Sequence, residues 1–203
     1  VKRIVVISHN EYLHNETDIV NKLFDAGLDD FHLRKKTGNV TDFKKYIGCL
    51  NTNFHNKITL HSNYEFTSDF NVKGIHIGYA DLIENINRNN NIVSVSAHSL
   101  DELENLENIL NEKDKKIQYA FLSPVFDSIS KKEYKSKFNL TDLKNYFHKN
   151  RFSFGVFALG GIDDSNISDV FETGFDGAAL LGYIWKNPDP LNNFIRIKQL
   201  CNL

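Results

Sequence analysis

The chain has little cysteine: two residues in 203, Cys49 and Cys201. They form no CxxC pair and have no histidine at metal-ligand spacing, so they read as incidental thiols of a reduced, cytoplasmic protein. Proline is scarce too, at three. No Pro/Gly-rich stretch divides the sequence, and one domain spanning 1–203 is expected, within the ~100–200 residues common for single domains. An excess of either charge is missing. The formal net charge is -2, which gives no bulk electrostatic sign of a nucleic-acid or membrane partner. No apolar run reaches the ~18 residues of a spanning helix. The N-terminus lacks a signal-peptide pattern, and the absent initiator Met is read as processing.

What the chain does have is alternation. Short runs rich in β-branched and aromatic residues read as buried strands: Ile4–Ile7, Phe31–Leu33, Ile58–Leu60, Ile75–Ile77, Ile92–Val95, Tyr119–Leu122, Phe154–Leu159 and Ala178–Leu181. Amphipathic segments lie between them. Ile19, Val20, Leu23 and Phe24 share one helical face; Phe43, Ile47, Leu50 and Phe54 share another. Leu100, Leu103, Leu106 and Leu110 form a third stripe, opened by a Ser99/Glu102 capping box. Leu191, Phe194, Ile195 and Leu200 mark the last helix. Gly27 and Gly174 each close a helix before a strand, where the left-handed conformation costs glycine little. Strands apolar on both faces and alternating with helices mean a parallel sheet. Eight such units predict an α/β fold, a closed (β/α)8 TIM barrel; an open doubly wound sheet is the alternative.

In such a barrel the chemistry sits at the C-terminal ends of the strands. After the second strand, alternation predicts His32, Arg34 and Lys36 on one side, a cationic floor for an anion. Gly160-Gly161 after the seventh strand and Gly182 after the eighth let backbone approach a phosphate. His98 is a candidate general acid/base. Asp81 either holds a hard cation such as Mg²⁺ or caps the following helix. Ser62 and Glu65 read as a capping box, with His61 facing the mouth. His76 reads as a satisfied core histidine, and Tyr183 and Trp185 as packing. After the sixth strand, Ser128, Ser130 and Lys131 open a polar loop of about fifteen residues, long enough for a lid over a polyanion.

Taken together, HLRKK, GIHIGYAD, VSAHS, LSPVFDSISK, ALGGI and GFDGAALLG resemble, in order and spacing, the thiamine-phosphate synthase/thiazole tautomerase family. That resemblance implies a (β/α)8 barrel that joins an aminopyrimidine diphosphate to a thiazole phosphate and releases pyrophosphate. It implies pyrophosphate contacts from Arg34, Lys36, Ser96, Ser128, Ser130 and Lys131, thiazole phosphate on Gly160, Gly161 and Gly182, and Mg²⁺ on Asp81. Partners would be the two phosphorylated substrates, with a homodimer as a further expectation and no nucleic acid or membrane. The sequence departs from the family pattern at His32 for Gln, at His61-Ser62 for an Asn-Asp pair, at Tyr79 for Gln, and near Gly182, where a Ser is absent. Two other readings stay open: a metal-independent thiazole tautomerase with His98 as acid/base, and a non-catalytic binder of phosphorylated ligands.

Overall fold

The computed structural model describes residues 2–88, 91–127, 136 and 138–202. The chain runs β1 (Arg3–Ile7), α1 (Glu16–Asp25), β2 (Asp30–Leu33), α2 (Val40–Gly48), β3 (Ile58–Leu60), β4 (Gly74–Gly78), α3 (Leu82–Asn85), β5 (Ile92–Ala97), α4 (Leu100–Lys113), β6 (Tyr119–Leu122), α5 (Leu140–Lys149), β7 (Gly155–Leu159), α6 (Ile167–Thr173), β8 (Gly177–Leu180), α7 (Gly182–Trp185) and α8 (Pro190–Cys201). Each strand pairs in parallel with the next, and β8 pairs with β1, closing the barrel. The expected (β/α)8 architecture is therefore what the chain adopts.

Strand parity divides the apolar residues into two cores. Outward residues such as Phe31, Leu33, Ile58, Leu60, Ile75 and Ile77 pack under the helices with Leu23, Ile47, Leu103 and Phe194. Inward residues Val5, Ile7, Val93, Tyr119, Phe121, Phe157 and Ala179 fill the barrel. Both faces are buried, which is why the strands read as nearly continuous apolar runs. The N-terminal end of the barrel is sealed. Asp30, fully buried, pairs with both Arg3 and Lys73, and Tyr119 stacks on Phe157 with centroids 4.3 Å apart.

One irregularity aims side chains at the site. Between β4 and β5 the register slips, from Ile75 opposite Ile92 to His76 opposite Ser94. The extra residue lets both Val93 and Ser94 turn inward, as β-bulges do. Ser94 and Ser96 thereby meet His76.

Several local expectations change. The third unit carries no α-helix, only a 3₁₀ turn over Tyr64–Phe66 with Asn63 at its start in the left-handed region and no side-chain cap. The Ser62/Glu65 box does not form; Ser62 instead accepts from Asn63 Nδ2 at 3.2 Å. The Phe43–Phe54 stripe is broken, because α2 ends at Gly48 and Phe54 belongs to a separate 3₁₀ turn, Thr52–Lys57. Ser99 does cap α4 through Glu102 N–H at 3.1 Å, but Glu102 returns to His98 N–H at 2.7 Å rather than to Ser99. In α8 the buried stripe is Phe194, Ile197 and Cys201, spaced i, i+3, i+7. Ile195 and Leu200 are 37% and 43% exposed, so Cys201 is a core residue and two of the leucine-type positions are not.

Candidate active site

A cavity of about 570 Å³ opens at the C-terminal ends of the strands. That is ample for a small phosphorylated ligand, since such pockets run ~300–1,000 Å³. Its wall has two kinds of surface.

The side formed by β1–β5 is built of side chains. Arg34 follows directly on β2 and lines the cavity. Its backbone is held by buried Ser8, whose hydroxyl accepts from Arg34 N–H at 2.8 Å and donates to Arg34 C=O at 3.0 Å. Its guanidinium donates to Asn10 Oδ1 at 2.8 Å. Burial lowers the guanidinium's pKa from its usual value, yet arginine keeps its charge. Lys35 points the other way, into a buried ion pair with Glu16 between the rings of Tyr12 and Tyr46. Lys36 is exposed and does not line the cavity. Period-two alternation holds only within a strand, and β2 ends at Leu33, so the inward rule reaches Arg34 and fails at Lys36.

Beneath Arg34 lies a cluster of three histidines. His32, fully buried, stands with Nδ1 2.7 Å from His61 Nε2 and Nε2 2.6 Å from the Tyr119 hydroxyl. His61 stacks on His76 with centroids 4.1 Å apart. His76 is satisfied as expected, by Ser94 and Ser96 hydroxyls at 2.8 Å on Nδ1 and Nε2. Burial pushes all three imidazoles below their usual range, His76 to about 3. Smaller contributions come from the neighbouring rings for His32 and His61, and from Arg34 for His61 and His76. The Tyr64 hydroxyl closes the wall by donating to the carbonyls of His76 at 2.9 Å and His61 at 3.2 Å.

At the rim, Asp81 ends a 3₁₀ turn over Tyr79–Asp81 and makes no side-chain cap to α3. It is the one carboxylate among the described residues lining the cavity. The capping alternative is therefore not what this residue does. Ser96 lines the cavity with its hydroxyl on His76. His98, also lining it, is 3.0 Å from the Ser123 carbonyl through Nδ1. A carbonyl only accepts, so that contact is made with a proton on Nδ1; the Ser123 hydroxyl lies 3.3 Å from the same nitrogen.

The side formed by β6–β8 is built of backbone. Gly160 and Gly161 adopt φ of 101° and 65°. A Cβ on Gly160 would stand 2.8 Å from Pro124 Cβ, and one on Gly161 would run into the Asp127 carbonyl and Phe126 Cβ. The loop after β6 is zipped to this strand end by Val125 N–H to Leu159 O at 2.9 Å and Phe126 N–H to Gly160 O at 3.1 Å. The glycine pair thus permits a close crossing of two loops as well as lining the cavity. No helix begins directly at the pair. Asn166 turns back onto Gly161 O and Asp163 N–H, and α6 starts only at Ile167. Gly182 begins α7 and lines the cavity. Trp185 lines it too, with Nε1 donating to Ile7 O at 2.7 Å. Ser128, Ser130 and Lys131 lie outside the described residues.

Ser8, which holds Arg34, and the cavity-lining Asn10, Tyr64 and Lys186 escaped the sequence reading. Ser8 and Asn10 were within reach of the strand-end rule, since Ser8-His9-Asn10 directly follows the first strand. Tyr64 and Lys186 carry no such signal.

A closed parallel barrel with a cavity at the C-terminal ends of its strands, where an anchored arginine and glycine backbone meet, defines a (β/α)8 barrel protein. Within that class the match is specific. Residues 4–184 fit the family model described as thiamine monophosphate synthase, and the chain belongs to that family. The thiamine-phosphate synthase of Latilactobacillus sakei is 26% identical over 181 residues, which cover 84% of this chain and 78% of that protein. The corresponding enzyme of Clostridium tetani is 27% identical over 183 residues, covering 87% and 80%. Among solved structures, the thiamine phosphate pyrophosphorylase of Bacteroides thetaiotaomicron has a TM-score of 0.77 and 26% identity, covering 100% of this chain and 98% of that one. The Pyrococcus furiosus protein of the same name, with a TM-score of 0.74 and 16% identity, shares the fold.

Proposed function

We propose that the protein is a thiamine-phosphate synthase. It is a transferase that breaks the C–O bond between an aminopyrimidine methylene and its diphosphate and forms a C–N bond to a thiazole phosphate. The observation that carries this reading is Arg34, clamped by Ser8 and Asn10 at the mouth and facing a glycine wall. Departure of the diphosphate first leaves a pyrimidinylmethyl cation, which the thiazole nitrogen captures. That order places the demand on stabilising negative charge at the leaving oxygens. Arg34 meets it with a fixed guanidinium, and Ser96 adds a hydroxyl from the same wall. Ser128, Ser130 and Lys131 lie outside the described residues, and their pyrophosphate contacts rest on the family pattern of the sequence alone. Lys36 does not line the cavity, and this reading assigns it no role in binding the diphosphate. The amides of Gly161 and Gly182, with Gly160 beside them, take the thiazole phosphate.

Mg²⁺ binds through one or two carboxylates together with substrate phosphate oxygens. Asp81 at the rim fits that mode as the one carboxylate among the described residues lining the cavity, with the diphosphate completing the set. The ion would supply charge neutralisation to the leaving group. We place the reaction in the cytoplasm, because charged phosphorylated substrates do not cross a bilayer unaided.

Supplying both substrates with Mg²⁺ and measuring pyrophosphate tests the reading. Thiamine phosphate and pyrophosphate are expected in equal amounts; no product at high enzyme concentration would sink it. One observation favours a second reading, thiazole tautomerase. His98 has Nδ1 fixed by Ser123 and Nε2 left for proton transfer. That activity would survive chelation and disappear in His98→Ala.

A further inference from the structure

The floor of the cavity carries an arrangement that the synthase reading does not use. His32, His61 and His76 each offer a ring nitrogen, and these nitrogens all lie within 4.8 Å of one another. We propose that these three imidazoles bind one borderline transition-metal ion, of the Zn²⁺ or Co²⁺ kind, with an open coordination position facing the cavity.

The donor set decides the class of ion. Three imidazole nitrogens suit Zn²⁺, Co²⁺, Ni²⁺ or Cu²⁺ and not a hard oxygen-seeking ion such as Mg²⁺. Three protein ligands with a fourth position left to water or substrate is the pattern of reactive rather than structural zinc. The position of the cluster provides that opening: His32 is fully buried, while His61 and His76 line the cavity. Histidine ligands in metal sites are oriented by a second hydrogen bond on the far nitrogen. Here the Tyr119 hydroxyl is on His32 Nε2, and the Ser94 hydroxyl is on His76 Nδ1.

Loading the ion requires a defined rearrangement. His32 Nδ1 and His61 Nε2, now 2.7 Å apart, share a proton. An ion between them would open the pair to about 3.3 Å, as two Zn–N bonds of ~2.0–2.1 Å at a tetrahedral angle require. If His32 holds the shared proton, it moves to Nε2 and donates to Tyr119. The phenolic proton then turns to Thr59 Oγ1, which is buried beside Tyr119 and otherwise lacks a hydrogen-bond partner. No proton is lost in that exchange. His76 gives up the Ser96 hydroxyl at Nε2 and swings out of its stack on His61, because the lone pairs of stacked rings do not converge. The charge of the ion adds to that of Arg34, so the open position favours water, hydroxide or an anionic oxygen.

The test is metal binding by the purified, chelator-stripped protein, read without turnover, so its outcome is independent of the synthase reading. Co²⁺ titration should give the visible d–d bands of a four- or five-coordinate ion at one per chain, abolished by Zn²⁺. In ring-nitrogen NMR of the wild type, Zn²⁺ should shift three of the eight histidines and leave the rest in place. His61→Asn should weaken Zn²⁺ about 100-fold, one ligand of three being lost. Tyr119→Phe should weaken it about tenfold through the His32 orientation. Asp81→Asn should leave Zn²⁺ affinity unchanged. Absence of the Co²⁺ bands and of any Zn²⁺-induced histidine shift in folded wild-type protein would overturn the proposal. So would unchanged Zn²⁺ affinity in a folded His61→Asn variant.

Discussion

The two sides of the barrel mouth differ in what they are made of. From β1 to β5 the wall is side chain: Arg34, His61, His76, Asp81, Ser96 and His98. From β6 to β8 it is largely backbone and small or apolar residues: Gly160, Gly161, Gly182 and Ala179, with Leu159 and Leu181. A side-chain wall can be chemically specific and charged, but each polar group must be held by another. Ser8 and Asn10 hold Arg34, and Ser94 and Ser96 hold His76. A backbone wall offers amide dipoles at no side-chain cost. It demands glycine wherever two chain segments cross, as at Gly160 and Gly161. The division matches a reaction between a strongly charged diphosphate and a second substrate carrying one phosphate.

Substitutions on each side should fail differently. The largest effect is expected for Arg34→Met. Loss of a preorganised charge contact to a leaving group should lower kcat/KM by about 100- to 1,000-fold with little change in stability. Steady-state pyrophosphate release and thermal denaturation of the same sample would check both halves of that statement. Gly161→Ala should do the reverse. Positive φ and the crossing Asp127 carbonyl should cost about 2 kcal/mol of stability, read as a lower urea midpoint. An Ala variant of unchanged stability would mean the loop crossing is looser than described. Asp81→Asn should raise the Mg²⁺ concentration for half-maximal rate about tenfold, the equivalent of ~1.4 kcal/mol, while the KM for thiazole phosphate stays put. The smallest change is expected for Ser96→Ala. One hydroxyl contact is worth ~0.5–1.5 kcal/mol, so kcat/KM for the diphosphate substrate should fall by about three- to tenfold. If Ser96→Ala altered thiazole phosphate binding instead, the assignment of the two walls to two substrates would be wrong.

Much of the architecture was legible in local pattern. All eight strands fall within two residues of their expected bounds, because a strand buried on both faces leaves an uninterrupted apolar signature. Arg34 was legible because it directly follows a strand and inherits its alternation. Lys36, two residues further, was not, since the alternation ends with β2. Asp81 had two local explanations of equal standing, and only the absence of a side-chain cap chose between them. The Ser62/Glu65 box met every sequence criterion and still failed, because the chain after β3 makes a 3₁₀ turn in place of a helix. The register slip between β4 and β5 left no trace in composition, yet it brings Ser94 and Ser96 onto His76.

By itself the sequence determined the number and order of strands, the family and the residues available at the strand ends. Those depend on periodicity and on which side chain follows which strand, and neighbours along the chain settle both. Only the tertiary structure decided which residues share a site. His32, His61 and His76 are far apart in the chain and meet because β2, β3 and β4 are adjacent staves of one barrel. The reason is geometric: parallel strands bring residues about thirty and fifteen positions apart into contact, and the register that aligns them is set between strands, not within them.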